Sequence, residues 1–218
     1  MKPYLSFIIP AFNEESRLGI TLETVIEYFS ARPYDAEIVV VDDGSSDGTV
    51  DLVSKNFEDV KVIELGKNLG KGAAVREGML NSLGEIRIFS DADLSTPVYE
   101  TGKILDCFES GHDVCFGSRA LDYSLIKEHQ PFYREFMGKT FNKIVQFMVL
   151  PGIKDTQCGF KGFTENAAAK IFPATKIDGF GFDVEVLYLA KKMGFKMQEI
   201  PVEWYNDERS KVSPVRDS

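Results

Sequence analysis

An open α/β fold built on a mostly parallel sheet is predicted by three features of this sequence. Short β-branched or aromatic runs alternate with segments of helical periodicity. Acidic and glycine-rich turns interrupt the chain just after several of those runs, where such folds carry their ligands. The composition, 44% hydrophobic and 27% charged, provides for both a buried core and a solvated surface.

Leu5-Ser6-Phe7-Ile8-Ile9-Pro10 reads as a buried strand stopped by proline. From Glu14 to Ala31, Leu18, Leu22, Val25, Ile26 and Phe29 recur at helical spacing. Ile38-Val39-Val40-Val41 is a second strand, closed by Asp42-Asp43-Gly44-Ser45, after which Asp47 is placed to cap a helix running to about Asn56. A third strand follows at Val60 to Leu65, a third helix at Gly72 to Leu83, and a fourth strand at Glu85 to Ser90 that ends on Asp91-Ala92-Asp93. Beyond this point the expected order is a helix near Tyr99 to Ser110, a strand near Asp113 to Gly117 and a longer helix within Arg134 to Leu150. A strand at Cys158 to Phe163, helices near Asn166 to Phe172 and Phe182 to Met193, and a strand near Met197 to Trp204 complete it. Repeated strand–helix units imply a parallel, doubly wound sheet. No Ser/Gly-rich linker or repeat divides the chain, so residues 1–218 are expected to form one domain with a polar tail from Asn206 to Ser218.

Charge and composition exclude several functions. Twenty-five Lys+Arg against 34 Asp+Glu leave a net charge of −9, which argues against broad attachment to nucleic acid or anionic lipid. Cys107, Cys115 and Cys158 are too few and too widely spaced for a disulfide framework or zinc ribbon, and they fit a reducing compartment. With only two histidines, His112 and His129, a metal would rest mainly on oxygen ligands, which points to hard cations. The apolar opening is too short for a secretory core, and no run approaches the about 18 apolar residues of a membrane span.

The chemistry is expected at three strand ends: Pro10-Ala11-Phe12-Asn13-Glu14, Asp42-Asp43 and Asp91-Ala92-Asp93. One such carboxylate usually caps a helix, but acids converging from separate strands point to a metal or nucleotide site. Gly66-Lys67-Asn68-Leu69-Gly70-Lys71-Gly72 has neither P-loop spacing nor a Ser/Thr after Lys71, and Gly70-Lys71-Gly72 lacks the third glycine of a dinucleotide fingerprint. A loop of this kind can still present backbone amides to a ligand at a helix N-terminus.

Taken in order, Phe7 to Glu15, Val41-Asp42-Asp43-Gly44-Ser45-Ser46-Asp47-Gly48-Thr49, Asn68-Leu69-Gly70-Lys71-Gly72 and Asp91-Ala92-Asp93 resemble the family-2 inverting glycosyltransferases of GT-A fold, a mostly parallel Rossmann-like sheet flanked by helices. Gly117-Ser118-Arg119, Asp155-Thr156-Gln157-Cys158-Gly159-Phe160-Lys161 and the end Ser210 to Ser218 are similar to dolichyl-phosphate β-glucosyltransferases and their prokaryotic relatives. The resemblance spans essentially the whole chain.

That resemblance implies a nucleotide-sugar-binding half at about 1–118, an acceptor half at about 119–205 and a basic tail at 206–218. Pro10, Phe12 and Glu14 would line the nucleoside pocket, Asp42 or Asp43 would read the base, and Lys71 and Ala92 would lie along the nucleotide. Asp93 would bind Mg²⁺ or Mn²⁺, with Asp91 contacting ribose, sugar or a metal-bound water. Ser95 stands where related mannosyl-phosphate enzymes often have glutamine, and it supplies either a shorter ligand or room for water. Arg119 would face phosphate, and Arg209, Lys211 and Arg216 would approach the diphosphate or lipid phosphate. The implied reaction moves glucose from UDP-glucose to dolichyl or polyprenyl phosphate at a membrane surface, on its cytoplasmic face. GDP-mannose as donor, a glycan hydroxyl as acceptor, or nucleotide-sugar binding without turnover are the alternatives. A hydroxyl acceptor would need a base, for which Asp155, Asp183 and Glu185 are the candidates, with helix capping as the competing role of Asp183 and Glu185. Phe141, Ile144, Val145, Phe147, Met148, Val149 and Leu150 form an apolar stripe that suits either the core or a polyprenyl chain.

Overall fold

The computed structural model describes residues 2–128, 145–146 and 148–206. In chain order its elements are β1 (Leu5–Ala11), α1 (Leu18–Ser30), β2 (Ala36–Asp42), α2 (Thr49–Asn56), β3 (Val60–Glu64), α3 (Lys71–Asn81) and β4 (Ile86–Ser90). They continue as α4 (Thr101–Glu109), β5 (Val114–Ser118), β6 (Phe160–Thr164), α5 (Glu165–Ile171), α6 (Phe182–Lys192) and β7 (Met197–Pro201).

The apolar runs make central strands because both of their faces are covered. Phe7 and Ile9 of β1 join Ile38 and Val40 of β2 in a core with Leu18, Leu22, Val25 and Phe29 of α1 and Ile104 of α4. On the other face Ile8, Val39 and Val41 pack with Ala74, Val75 and Met79 of α3 and with Phe182, Val186 and Leu187 of α6. Period-two alternation along each strand feeds two cores, so the strand has no polar face to show in its sequence.

The seven strands lie in the order β3-β2-β1-β4-β6-β5-β7. All neighbours are parallel except β6, which runs antiparallel to both β4 and β5, so the sheet is mostly parallel, as expected, with one reversed strand. An antiparallel neighbour needs no crossover back to the opposite edge. β5 ends at the carboxyl edge of the sheet and β6 starts from that same edge, which brings the segment before β6 beside the end of β4, where Asp91 N–H donates to Gly159 O at 3.1 Å.

Several boundaries differ from expectation for local reasons. α1 begins at Leu18 rather than Glu14, because Asn13 is left-handed (φ 55°) and the Glu14 N–H donates to Thr49 Oγ1 at 2.8 Å. α2 begins at Thr49, whose N–H donates to Asp47 Oδ1 at 3.0 Å. β7 stops at Pro201, and Trp204 makes only an isolated bridge to Ile126. Cys107 of α4 and Cys115 of β5 are joined in a disulfide, a pairing that the expectation of reduced thiols did not include, while Cys158 is free and buried.

Phe141, Ile144 and Phe147 of the apolar stripe lie outside the described residues, as do Arg209, Lys211 and Arg216. Of the remainder, Val145 and Leu150 are buried, whereas Met148 is 73% exposed. Among the described residues no helix is long and apolar enough to cross a membrane.

Candidate active site

Parallel β1, β2 and β4 deliver their following loops to one edge of the sheet, where a cleft of ≈ 350 Å³ opens. Its lining includes Pro10, Phe12, Glu14 and Arg17 from the first loop and Asp43 from the second. Asn68, Gly70 and Lys71 at the start of α3, the Asp91-Ala92-Asp93 turn and Phe180 complete the wall.

The first two loops are laced together. Asn13 N–H donates to Ser45 Oγ at 2.8 Å, and Ser46 N–H donates to Asn13 Oδ1 at 2.7 Å. Of the two neighbouring acids, Asp43 reaches the cleft and Asp42 does not. Asp42 Oδ2 accepts the N–H groups of Gly44 and Ser45 at 3.1 and 3.0 Å, folding the side chain onto its own turn. Asp43 accepts from Leu69 N–H at 2.7 Å and Gly70 N–H at 2.9 Å, fastening the α3 entry loop. Burial raises the Asp43 pKa, against the lowering effect of those two amides.

Glu14 lines the cleft but is no free acceptor, because its carboxylate grips the buried Arg17 guanidinium through both oxygens, with Nη2 to Oε1 at 2.6 Å. Arg17 is a cleft residue that sequence reasoning missed, since it precedes the apolar stripe of α1 as an ordinary polar residue would. Phe180 was missed as well; its ring stands 5.8 Å from the Lys71 ammonium, and its flanking glycines were the available signal.

Lys71 forms an ion pair with Asp91. Burial works against the charge of Lys71, but Asp91 and then Asp183 outweigh it, so the pKa is raised. A Cβ on Gly159 would lie 2.0 Å from Asp91 Oδ2, so the glycine of the Cys158-Gly159-Phe160 segment makes room for this carboxylate. Asp93 Oδ1 accepts from Ser95 N–H at 2.9 Å. Burial, followed by the adjacent Asp91, pushes the Asp93 pKa up. Two crowded carboxylates at a cleft wall form an oxygen-donor surface that suits a hard divalent cation. Among the described residues no cluster of three or more His, Cys, Asp or Glu forms a complete ligand set, so such an ion would take its remaining ligands from phosphate and water.

The other predicted residues stand behind or beside this wall. Arg119 follows β5 and is held by Asp155: Nε donates to Oδ2 at 2.7 Å, Nη2 to Oδ1 at 2.9 Å, and its backbone N–H to Oδ2 at 3.1 Å. Its guanidinium carbon lies 5.6 Å from the Trp204 ring. Asp155 resists burial through Arg119 and keeps a pKa of about 2, too low for a general base. Asp183 neither caps α6 nor faces the cleft; it is ion-paired with the fully buried Lys161 of β6. Burial raises its pKa, against Lys161 and Lys71. Glu185 accepts from the backbone N–H groups of Lys176 and Ile177 at 2.9 and 2.8 Å.

Comparison with known proteins gives the family and the fold. The Glycosyl transferase family 2 profile matches residues 6–172. The dolichyl-phosphate beta-glucosyltransferase of Dictyostelium discoideum is 36% identical over 99% of this chain and 70% of its own length. The enzyme of the same name from Homo sapiens is 35% identical over 96% of this chain and 70% of its own. Glucosyl-3-phosphoglycerate synthase from Mycobacterium tuberculosis, solved with Mn²⁺, UDP and glucosyl-3-phosphoglycerate, superposes with a TM-score of 0.70 at 16% identity, covering 96% of this chain and 73% of that one. Mannosyl-3-phosphoglycerate synthase from Rubrobacter xylanophilus gives 0.73 at 18% identity, over 96% and 68%. These two likenesses establish the GT-A fold. With the profile match and the relatives aligned over 96–99% of this chain, they make it a member of glycosyltransferase family 2.

Proposed function

We propose that the chain transfers glucose with inversion from UDP-glucose to dolichyl or another polyprenyl phosphate, with Mg²⁺ or Mn²⁺ as cofactor. The 35–36% identity, over nearly all of this chain, to enzymes named for this reaction supports it. The observation that carries the acceptor class is the state of the three carboxylates considered as bases. Asp155 is bound to Arg119, Asp183 to Lys161 and Glu185 to backbone amides. A hydroxyl acceptor needs a base, whereas a phosphate monoester is already ionised and needs only to be aligned with the anomeric carbon.

In this reading Phe12 and Asp43 border the base. Asp43 has lone pairs beyond those facing Leu69 and Gly70 with which to accept an imide N–H. Lys71 brings positive charge to the diphosphate side, steadied by Asp91. Asp93, with Asp91 and Ser95 beside it, would hold the divalent ion, which when bound neutralises charge on the departing nucleoside diphosphate. Arg119, oriented by Asp155, would meet the lipid phosphate with the part of its fork that the carboxylate leaves; Arg209, Lys211 and Arg216, outside the described residues, are assigned to the same phosphate by resemblance alone. The acceptor tail requires the enzyme to work against a membrane, on its cytoplasmic face in this proposal.

Radiolabelled UDP-glucose and GDP-mannose offered with polyprenyl phosphates of several lengths test this reading. A β-linked glucosyl lipid in the organic phase is expected. Mannosyl lipid from GDP-mannose, or label on a glycan only, would replace the assignment.

A further inference from the structure

Thr21 lies one helical turn after Arg17 on α1, and it is buried. Threonine in a helix commonly turns its hydroxyl to the carbonyl four residues back, as Thr24 does toward Ile20 O at 2.9 Å. Thr21 does otherwise. The Arg17 carbonyl receives the Thr21 backbone N–H at 3.1 Å, and the hydroxyl reaches across to Ala92 O at 2.6 Å. Ala92 is the residue between the two aspartates of the cleft wall.

That turn is under strain and heavily tied. Leu94 has φ 46°, a left-handed conformation that a branched side chain adopts only where its surroundings impose it. Leu94 N–H donates to Asp91 O at 3.1 Å, and Ser95 N–H to Asp93 Oδ1 at 2.9 Å. Asp91 N–H donates to Gly159 O at 3.1 Å, and Tyr205 N–H donates to Ser95 O at 2.8 Å. These bonds fix the two ends of the turn. Thr21 fixes its middle, at the peptide whose rotation would swing Asp91 and Asp93 relative to each other.

We propose that Thr21 is a positioning residue for metal-assisted transfer: its hydroxyl sets the peptide between Asp91 and Asp93 so that both carboxylates present to the cleft together. This role rests on the functional reading above. Thr21 does not line the cleft, and its effect passes through the Ala92 carbonyl.

The test compares Thr21→Val, Thr21→Ser and, as a control on the same helix, Thr24→Val. Mn²⁺-dependent UDP binding is followed by calorimetry, together with steady-state kinetics and thermal melts. Loss of one buried hydrogen bond at this peptide should weaken Mn²⁺-dependent UDP binding about tenfold in Thr21→Val and lower kcat/KM by at least about as much. Thr21→Ser should stay within about threefold of the unsubstituted protein, and Thr24→Val should match it, because the first keeps the donor and the second never touched the turn. Should Thr21→Val prove unfolded, Thr21→Cys keeps the size with a weaker donor and must show the same loss relative to Thr21→Ser. UDP binding and kcat/KM within about twofold of the unsubstituted protein in folded Thr21→Val, or Thr21→Ser as impaired as Thr21→Val, would overturn the role. If the unsubstituted protein itself binds no UDP with Mn²⁺, the functional reading fails, and with it this role.

Discussion

Replacing Asp155 with Asn should both unsettle the protein and expose how Arg119 is held. The carboxylate receives Arg119 through Nε, Nη2 and the backbone N–H at 2.7, 2.9 and 3.1 Å, and the Gln157 N–H at 3.1 Å, in a side chain that is 2% exposed. An amide presents one acceptor oxygen and an NH₂ to those four donors, so at least one bond becomes a donor–donor clash and the guanidinium loses its counter-charge. The carboxyl pKa of about 2, against an ordinary 3.8, corresponds to on the order of 2 kcal/mol of native-state stabilisation. Because the folded value is depressed, this stabilisation is complete above the unfolded value and is lost as pH falls through the folded one, between about pH 4 and pH 2. Urea denaturation of both proteins from pH 7 downward should show Asp155→Asn less stable by about 2 kcal/mol or more at neutral pH, with the gap closing below pH 4. A gap unchanged down to pH 2 would refute the ion-pair account. Turnover should fall as well, with affinity for UDP preserved, since Arg119 and not the donor cleft is disturbed.

Asp93→Asn should cut turnover on the order of a hundredfold or more while leaving the melting temperature close to that of the unsubstituted protein; near-normal turnover would remove Asp93 from the metal role. EDTA should stop the reaction and Mn²⁺ or Mg²⁺ restore it. Gly159→Ala should fold, because β6 starts one residue later, yet lose at least about tenfold in activity, since the new Cβ would lie 2.0 Å from Asp91 Oδ2; full activity would show that Asp91 can retreat without consequence. Lys161→Met should cost about 3–5 kcal/mol in denaturant unfolding, because it strands the Asp183 carboxylate among buried residues, and a loss under about 1 kcal/mol would mean that Asp183 finds another partner.

The elements that were legible in sequence are those whose burial is written locally. β1 and β2 are apolar on both faces and cannot be mistaken for half-exposed strands, and the acids that follow them must lie at the carboxyl edge once the strands are parallel. β6 was legible as a strand but not in its direction. Phe160-Lys161-Gly162 carries a lysine that is buried only because Asp183 on α6 meets it, and a glycine whose Cβ would lie 2.5 Å from Ile104 on α4. Both reasons are tertiary. Arg17 and Thr21 were hidden for a similar reason, since the pattern of α1 announces its apolar face and says nothing of which loop its first turn touches.

The net charge of −9 likewise says little about the site, because the acids there are paired one by one. Glu14 with Arg17, Asp91 with Lys71, Asp155 with Arg119 and Asp183 with Lys161 make four ion pairs around one edge of the sheet. Compared with well-packed apolar residues such pairs add little, because desolvation offsets most of the attraction, but removing one partner strands the other, so each pair fixes where its charge sits. Subtracting them leaves Asp93 facing the cleft beside Asp91, with the Ser95 N–H and the Arg17 guanidinium favouring its charge against burial and Asp91. Asp42 and Asp43 are answered by backbone amides. Asp43 and Asp93 are therefore the carboxylates of the wall that lie outside the four pairs, and Asp93 stands at the turn that Thr21 and Gly159 touch. In the proposed reading a cation brought in with a diphosphate would meet Asp93 there, while Asp91 remains tied to Lys71.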